Sequence, residues 1–426
     1  MVKKHATEAE IMNNTTSLNK TKFQEFSNSA AFFCAIAFMI FIPVNIVLMN
    51  VFLFLVLIFT LMAGDLKHHL TLVWHNPVTK AALILFALLG VSVFWSIAET
   101  DWSLRVLKKY NELWYIALLL PLFHSPQRRN IGINAFLIGM GLILTGIYLV
   151  YFNVLPSSGI SIAGKHAPFT VDGGFSSHIM TNILMSFVVF VSAHKVIFSN
   201  TKIKWLYGAL FSGSFYYALF ISTGTTGQLI TLSLLGLLLI QYFGKKSLIL
   251  LPILVLFISI ITINTENNAI KHAIHKIESR ISHIENGNPN TRPQLAIHAF
   301  KLFAKDPVIG TGVGSYRVAL ETKQSEFSER TPHKWNPHNE YLVIAVQLGL
   351  IGLLALLFLF YTQAKSTQKI QDKEQRYLAH GLVLLFVIGC LGNSLIMDSG
   401  EGHFWAFFSA LFFSNLLVEK KKTLSI

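Results

Sequence analysis

The chain has 426 residues, of which 53% are hydrophobic and only 13% are charged. A soluble protein carries about 25% charged residues, so this composition excludes an ordinary soluble globular protein. The formal net charge of +13 would suit a nucleic-acid partner. Most lysines and arginines, however, flank long apolar runs, and this distribution predicts a membrane protein and argues against a nucleic-acid partner.

The apolar residues form runs that approach the roughly 20 residues a helix needs to cross a bilayer. Because Pro43 alone divides the first two runs, they could form one broken helix. The predicted fold class is an all-α integral membrane protein with about 12 transmembrane helices, at residues 29–43, 45–63, 78–97, 110–123, 131–152, 178–197, 204–221, 226–242, 247–264, 339–361, 378–397 and 403–418.

The polar first 27 residues give no sign of a cleavable signal peptide. Cys34 and Cys390 lie in separate predicted spans, and we expect both to be reduced thiols. The chain then divides into an N-terminal tail (1–28), transmembrane helices one to nine (29–264), a long helical loop (265–338), helices ten to twelve (339–418) and a C-terminal tail (419–426).

The distribution of basic residues predicts the orientation of the chain in the membrane. If the N-terminus is cytoplasmic, most basic residues fall on the cytoplasmic side and the short outer loops keep only Arg105, Lys108, Lys109 and Lys165. Short loops rich in Lys and Arg stay inside, while long loops are exempt from this rule. Both termini are therefore expected in the cytoplasm, and the loop 265–338 in the periplasm of a bacterial inner membrane.

The first part of this loop predicts an amphipathic helix lying on the membrane surface. Five isoleucines from Ile270 to Ile284 recur at helical spacing, with Arg280 and several histidines elsewhere around the helix. Since no cysteine and no evident acidic ligand joins the histidines, we expect neither a bound metal nor another cofactor.

A turn cluster follows, and Pro293 then fits the first turn of a helix that runs to about Lys305. Arg292 would lie at the N-terminus of this helix, where free N–H groups attract anions and a guanidinium can bind phosphate with two hydrogen bonds. A solvated surface arginine is the alternative. Three glycines between Gly310 and Gly314 predict a tight loop whose backbone approaches a ligand or another helix.

The loop ends at Trp335-Asn-Pro-His-Asn-Glu340. We expect Asn336 to cap the following helix, with His338 and Asn339 in its first turn at the outer membrane face. Gly349 and Gly352 would share the face of His338, so the histidine would be turned towards protein, as a functional residue is.

Other polar residues are predicted at the same depth, where they would form a partly basic chamber. Each alone is more readily explained as a helix-end anchor or a structural hydrogen bond. They are Arg105, Lys109, His178, Asp398, Glu401 and His403.

These residues carry a resemblance to a known family. His338-Asn339 followed by Gly349-Leu-Ile-Gly352 resembles the signature of the O-antigen ligase and polymerase superfamily. Arg292 with the stretch 305–316 is similar to that superfamily's loop before the histidine, and the stretch 393–403 also looks like it. The resemblance covers most of residues 100 to 420.

The resemblance implies a C-type glycosyltransferase that takes a glycan from undecaprenyl diphosphate without a metal, and in ligases the acceptor is a lipid A-core sugar. Arg292 would hold the diphosphate and His338 would act on the acceptor hydroxyl. Family members often carry an arginine in a Gly-Arg-Thr-Gly-Gln-like string, and here the string is Gly224-Thr-Thr-Gly-Gln228. Lys109, Arg280 or Arg317 could supply the missing charge, or the donor is held more weakly.

Three other functions stay open at this point: an O-antigen polymerase, a protein O-oligosaccharyltransferase and a polytopic transporter. A transporter is disfavoured because no inverted repeat is apparent and no charged residue lies deep in a predicted span.

Overall fold

The computed structural model describes residues 8–156, 169–199, 201–247, 292–322 and 336–417. Within these ranges the chain is helical, and its only strand-like pairing is an isolated bridge between Thr170 and Gly174. The predicted surface helix at 270–284, the predicted span 247–264 and Arg280 lie outside the described residues. The α-helices are α1 (Glu8–Phe41), α2 (Ile46–Met62), α3 (Leu66–His75), α4 (Pro77–Val91), α5 (Thr100–Lys108), α6 (Glu112–Leu119), α7 (Pro126–Tyr151), α8 (His178–Phe198), α9 (Lys204–Tyr216), α10 (Thr225–Phe243), α11 (Arg292–Phe303), α12 (Ser315–Thr322), α13 (Glu340–Thr367), α14 (Lys373–Gly392) and α15 (Ser399–Phe413).

The helices confirm a multi-pass membrane protein. Seven of the described helices are long and apolar enough to cross a membrane, or eight if α2 and α3, which meet at a bend of 113°, count as one broken span. The predicted spans 110–123 and 204–221 correspond to shorter or mixed elements: α6 continues into a 3₁₀ turn, and α9 into a π-helical segment at Tyr217–Ile221. The number of twelve spans stays a prediction.

An aromatic column on α15 forms the centre of the bundle. Phe404, Trp405 and Phe408 are fully buried, and Phe408 packs edge-on against Phe136 of α7 and Phe187 of α8. Large rings that interlock at this spacing give close packing between helices that share no strong polar attraction in lipid. The column therefore fixes the helices whose ends carry the candidate site.

Contacts between helix termini define two ends of this bundle. At one end Lys195 of α8 forms an ion pair of 2.9 Å with Glu374 of α14, and Arg129 of α7 donates to Gln375 at 2.8 Å. At the other end lie the starts of α8, α10 and α13 and the end of α14. We call this second end the site end, because the residues singled out in the sequence gather there.

Residues 306–314, the glycine loop, dock on α13 through their backbone. The N–H groups of Thr311 and Gly312 donate to the carbonyls of Val346 and Gln347, at 3.0 and 2.8 Å. A Cβ on Gly312 would lie 2.2 Å from the Cα of Ser96, so no side chain fits there. The prediction of a tight loop against another helix is confirmed.

The same docking corrects the predicted small-residue stripe on α13. Gly349 has φ 62° and ψ −155°, so the helix is broken there, and Leu350 N donates to the Pro307 carbonyl at 2.7 Å. A Cβ on Gly349 would lie 2.3 Å from the carbonyl carbon of Val308. Gly349 thus admits the glycine loop, and it does not continue a helical face from His338 to Gly352.

Candidate functional site

The glycine-containing string before α10 is held against α8 by hydrogen bonds. Asn182 Nδ2 donates to the Gly224 carbonyl at 2.8 Å, and Ser186 Oγ donates to the Gly227 carbonyl at 2.9 Å. A Cβ on Gly227 would lie 2.5 Å from Asn182 Cγ, so this position admits only glycine without a shift. The contact brings the first turn of α10 beside the first turn of α8.

Asp172 fixes the turn that leads into this string. Its carboxylate accepts hydrogen bonds from the N–H and the hydroxyl of Thr223, at 2.8 and 2.6 Å, and its carbonyl accepts one from Tyr217 Oη at 2.6 Å. Tyr217 opens the π-helical segment, a type of helix that is rare and is often found at functional sites.

A pocket with about 330 Å³ of empty space, open to solvent, lies between these elements. It is lined by the first residues of α8 and α10 together with Arg292, namely His178, Ile179, Thr223, Gly224, Thr225, Thr226, Gly227 and Arg292. The first N–H groups of a helix have no acceptor within the helix, and Gly224 has no side chain to cap those of α10. Such a pocket can bind an anion.

Arg292 is the first residue of α11, as the sequence predicts, and its guanidinium reaches across to two other helices. Nη2 donates to Asn393 Oδ1 at 3.1 Å, and Nη1 donates to Thr226 Oγ1 at 3.4 Å. A Cβ on Gly392 would lie 3.6 Å from Nη1 and 3.0 Å from Thr226 Oγ1. The guanidinium therefore has a fixed place beside the pocket.

The predicted start of α13 is wrong by three residues, because Asn336 was expected to be the N-cap. The helix begins at Glu340, and Asn339 is its N-cap, with Oδ1 accepting from Leu342 N at 3.0 Å. His338 lies before the helix in a left-handed conformation, with φ 55°. Left-handed backbone costs an L-residue roughly 1–2 kcal/mol, so other contacts must hold the histidine there.

Those contacts come from the residues on either side of His338. Asn336 Oδ1 accepts one hydrogen bond from His338 N and one from Ser394 Oγ, both at 2.8 Å, and Asn339 Nδ2 donates to the Leu391 carbonyl at 3.0 Å. Residues 336–340, the histidine turn, are thus fastened to residues 391–398, the site linker between α14 and α15.

The site linker brings together the two residues expected to be catalytic. Asn393 contacts Arg292, and its neighbours Leu391 and Ser394 contact the histidine turn. Arg292 begins α11 and contacts the linker directly, whereas His338 precedes α13 and lies between two residues that contact the linker. Arg292 lines the pocket, and His338 is not among its lining residues.

A second polar cluster lies farther along the linker. Lys109 follows α5 and faces the charge of Asp398, and burial lowers the pKa of the Lys109 amine. Burial raises the pKa of Asp398 to about 6, an effect that the charge of Lys109 opposes. Glu401 and His403 are buried on α15, and His403 Nδ1 lies 3.1 Å from Glu112 Oε1. This cluster does not line the pocket.

Two further predicted site residues do not line the pocket. Arg105 is exposed on α5. Arg317 on α12 is also exposed, forms an ion pair of 2.8 Å with Glu321 and lies over the ring of Trp102 at 6.0 Å. Neither Lys109 nor Arg317 lines the pocket at Thr225, the position where the family string has arginine. Among the described residues there is no group of three or more His, Cys, Asp or Glu side chains able to hold a metal.

Three roles were not predicted from the sequence. They are the contact of Thr226 with Arg292, the hydrogen bonds of Asn336 to His338 and Ser394, and the contact of Glu340 with the site linker. Thr226 could have been found from the glycine string, since a hydroxyl in the first turn of a helix lies near its free N–H groups. Glu340 gave no signal, because its partners are backbone N–H groups far along the chain.

Comparison with known proteins agrees with this geometry. Residues 206–357 match a protein family described as O-Antigen ligase, and this range contains the pocket string, Arg292 and His338. The resemblance drawn from the residues is thereby confirmed: this stretch of the chain is similar to the O-antigen ligase family.

Two curated relatives, both named as candidate polysaccharide ligases, are more distant. The protein from Rickettsia conorii is 26% identical over 95 residues, and the one from Rickettsia felis is 27% identical over 95 residues. In both cases the alignment covers 21% of this chain and only 23% of the relative's length. This stretch of the chain is thus similar to less than a quarter of each of two proteins named as polysaccharide ligases.

Proposed function

We propose that the chain is an O-antigen ligase that transfers a glycan from undecaprenyl diphosphate to a sugar hydroxyl of lipid A-core at the periplasmic face of the inner membrane. One observation carries the proposal: Arg292 and the histidine turn are held by the same site linker beside an anion-binding pocket. The family match over residues 206–357 supports it.

The donor's diphosphate would occupy the pocket. The guanidinium of Arg292 would donate to its oxygens, and the first N–H groups of α10 would face the same charge. Thr226 holds one arm of the guanidinium, and Asn393 holds the other. A guanidinium that is already oriented loses little entropy on binding the diphosphate and stabilises the charge that builds on it as it leaves.

The acceptor would be activated at the histidine turn. An oxygen of the lipid A-core hydroxyl attacks the anomeric carbon, the bond from that carbon to the diphosphate oxygen breaks, and the hydroxyl proton passes to the imidazole of His338. Undecaprenyl diphosphate leaves with the bonding electron pair. Because a diphosphate is a good leaving group, the reaction needs a base and an anion site, and we propose that it needs no metal.

The second candidate is an O-antigen polymerase, which the shared superfamily signature favours. Deleting the gene and separating the lipopolysaccharide on a gel distinguishes the two. Loss of a ligase leaves core without O-antigen and accumulates lipid-linked polymer, whereas loss of a polymerase leaves single repeats on the core. Normal lipopolysaccharide in the deletion strain would contradict both.

Purified protein provides the direct test. Full-length protein incubated with an undecaprenyl-diphosphate-linked glycan and lipid A-core should produce glycosylated core and free undecaprenyl diphosphate in equal amounts. Product formed only when a second lipid-linked glycan replaces lipid A-core would favour the polymerase.

A further inference from the structure

Glu340 is the first residue of α13, and it is fully buried at the site end. Its carboxylate accepts three hydrogen bonds. Oε1 accepts from Tyr110 Oη at 3.1 Å, and Oε2 accepts from the backbone N–H groups of Ile396 and Met397 at 2.9 and 3.3 Å. Every contact is with a donor, so both oxygens are used as acceptors.

These contacts hold the far half of the site linker, which contains Ile396 and Met397. The near half is held by the histidine turn, because Asn336 accepts from Ser394 and Asn339 donates to the Leu391 carbonyl. Asn393, the partner of Arg292, lies in the near half, between Leu391 and Ser394. Glu340 is two residues from His338, so it ties the histidine turn and the arginine's support into one rigid unit.

We infer that Glu340 is a positioning residue, which sets the separation between the imidazole of His338 and the guanidinium of Arg292 without touching substrate. The inference rests on the proposed function, because it assigns those two groups to one reaction. A misplacement of about 1 Å between reacting groups can lower a rate by about a hundredfold, so a brace at this point has a large effect on turnover.

Methionine is the sharpest substitution because it keeps the length of the side chain and removes both acceptor oxygens. Glutamine would be a weaker test, since its oxygen could still accept from the two linker N–H groups while its amide donated to the Tyr110 hydroxyl. Glu340→Met leaves the N–H groups of Ile396 and Met397 without this acceptor, so the linker must shift to find other partners for them. Tyr110→Phe is milder, since it removes one donor and leaves both backbone hydrogen bonds to Glu340 in place.

Glu112→Met is the matched control. Glu112 is also a buried glutamate of the site end, but its carboxylate pairs with His403 on α15 and not with the linker N–H groups. It therefore reports what the loss of a buried carboxylate does to folding alone. Rates are to be expressed per mole of monodisperse protein, so that a loss of folded protein does not count as a loss of turnover.

The experiment measures kcat and the donor KM of the purified full-length variants. We expect Glu340→Met to lower kcat by about a hundredfold with little change in the donor KM, and Tyr110→Phe to lower it less. In a His338→Ala background Glu340→Met should cost almost nothing further, because residues that act as a unit are not additive. Glu112→Met should have the same effect in both backgrounds.

The outcomes separate the inference from the proposed function. Wild-type protein that forms no product would overturn the proposed function before any variant is compared. If the wild type is active and Glu340→Met keeps the wild-type kcat, or raises the donor KM by as much as it lowers kcat, the positioning role is refuted. An equal loss in the presence and absence of the His338 imidazole would refute it too.

Discussion

The left-handed backbone at His338 allows its catalytic and conformational roles to be separated by two substitutions. Alanine at this position must adopt the same φ of 55° as the histidine, at a cost of roughly 1–2 kcal/mol. Glycine avoids that cost but loses about 0.5–1 kcal/mol through its freedom in the unfolded chain. His338→Gly should therefore be more stable than His338→Ala by about 0.5–1 kcal/mol, the reverse of the usual order.

Both variants should lose the same catalytic contribution. A general base contributes about a hundred- to ten-thousandfold, which corresponds to about 2.7–5.4 kcal/mol of transition-state stabilisation. The backbone hydrogen bond from residue 338 to Asn336 remains in each variant, so the turn keeps its shape. The expected pattern is two inactive proteins of which the glycine variant melts at the higher temperature.

The assay compares thermal unfolding midpoints in one detergent with initial rates of glycan transfer. Thr145→Gly and Thr145→Ala, at an exposed position within α7, are the control pair and should show the usual order, with glycine the less stable. If alanine is the more stable residue at 338 as well, the left-handed turn is refuted. If either His338 variant keeps a near-normal rate, the histidine is not the base.

The other predictions concern Arg292, metals and topology. Arg292→Ala should abolish transfer and Arg292→Lys should recover only part of it, because lysine cannot bond Thr226 and Asn393 while binding a diphosphate with two parallel hydrogen bonds; a fully active alanine variant at normal level would contradict this role. Transfer should persist in EDTA, and loss of transfer that one divalent metal restores would overturn that expectation. Ser325→Cys should react with a membrane-impermeant thiol reagent in intact spheroplasts, and Ser366→Cys should not. The reason is that the basic residues predict residues 265–338 outside the membrane and residues 362–377 inside. The opposite labelling would refute this orientation.

Local rules predicted the parts of the site that local chemistry determines. Pro293 after Arg292 placed the arginine at a helix start, and the glycines of the glycine loop indicated a backbone packed against another helix. The apolar runs predicted most of the long helices to within a few residues. Each of these features depends on residues close to one another in sequence.

The histidine turn shows where such rules fail. Asn336 and Asn339 are both good N-caps, and Pro337 favours the first of them. The chain uses Asn339, because Ser394 and His338 N compete for the oxygen of Asn336. That choice is made by the site linker, which is far away in sequence. Gly349 was misinterpreted for the same kind of reason, since the glycine loop inserts where a continuous helix seemed to require a small residue.

Under the proposed function, the pocket would explain how a string without the arginine that the family resemblance leads one to expect could still attract a diphosphate. Thr225 lines the pocket beside Arg292, whose guanidinium reaches it from α11. A helix start carries about half a positive charge, and the first turns of both α8 and α10 line the same pocket. Ser177 caps α8 through Met180 N, whereas α10 begins at Gly224 without a side-chain cap. The first N–H groups of α10 would therefore donate to the anion in place of the missing side chain. Arg292 would supply the full positive charge that backbone N–H groups do not carry.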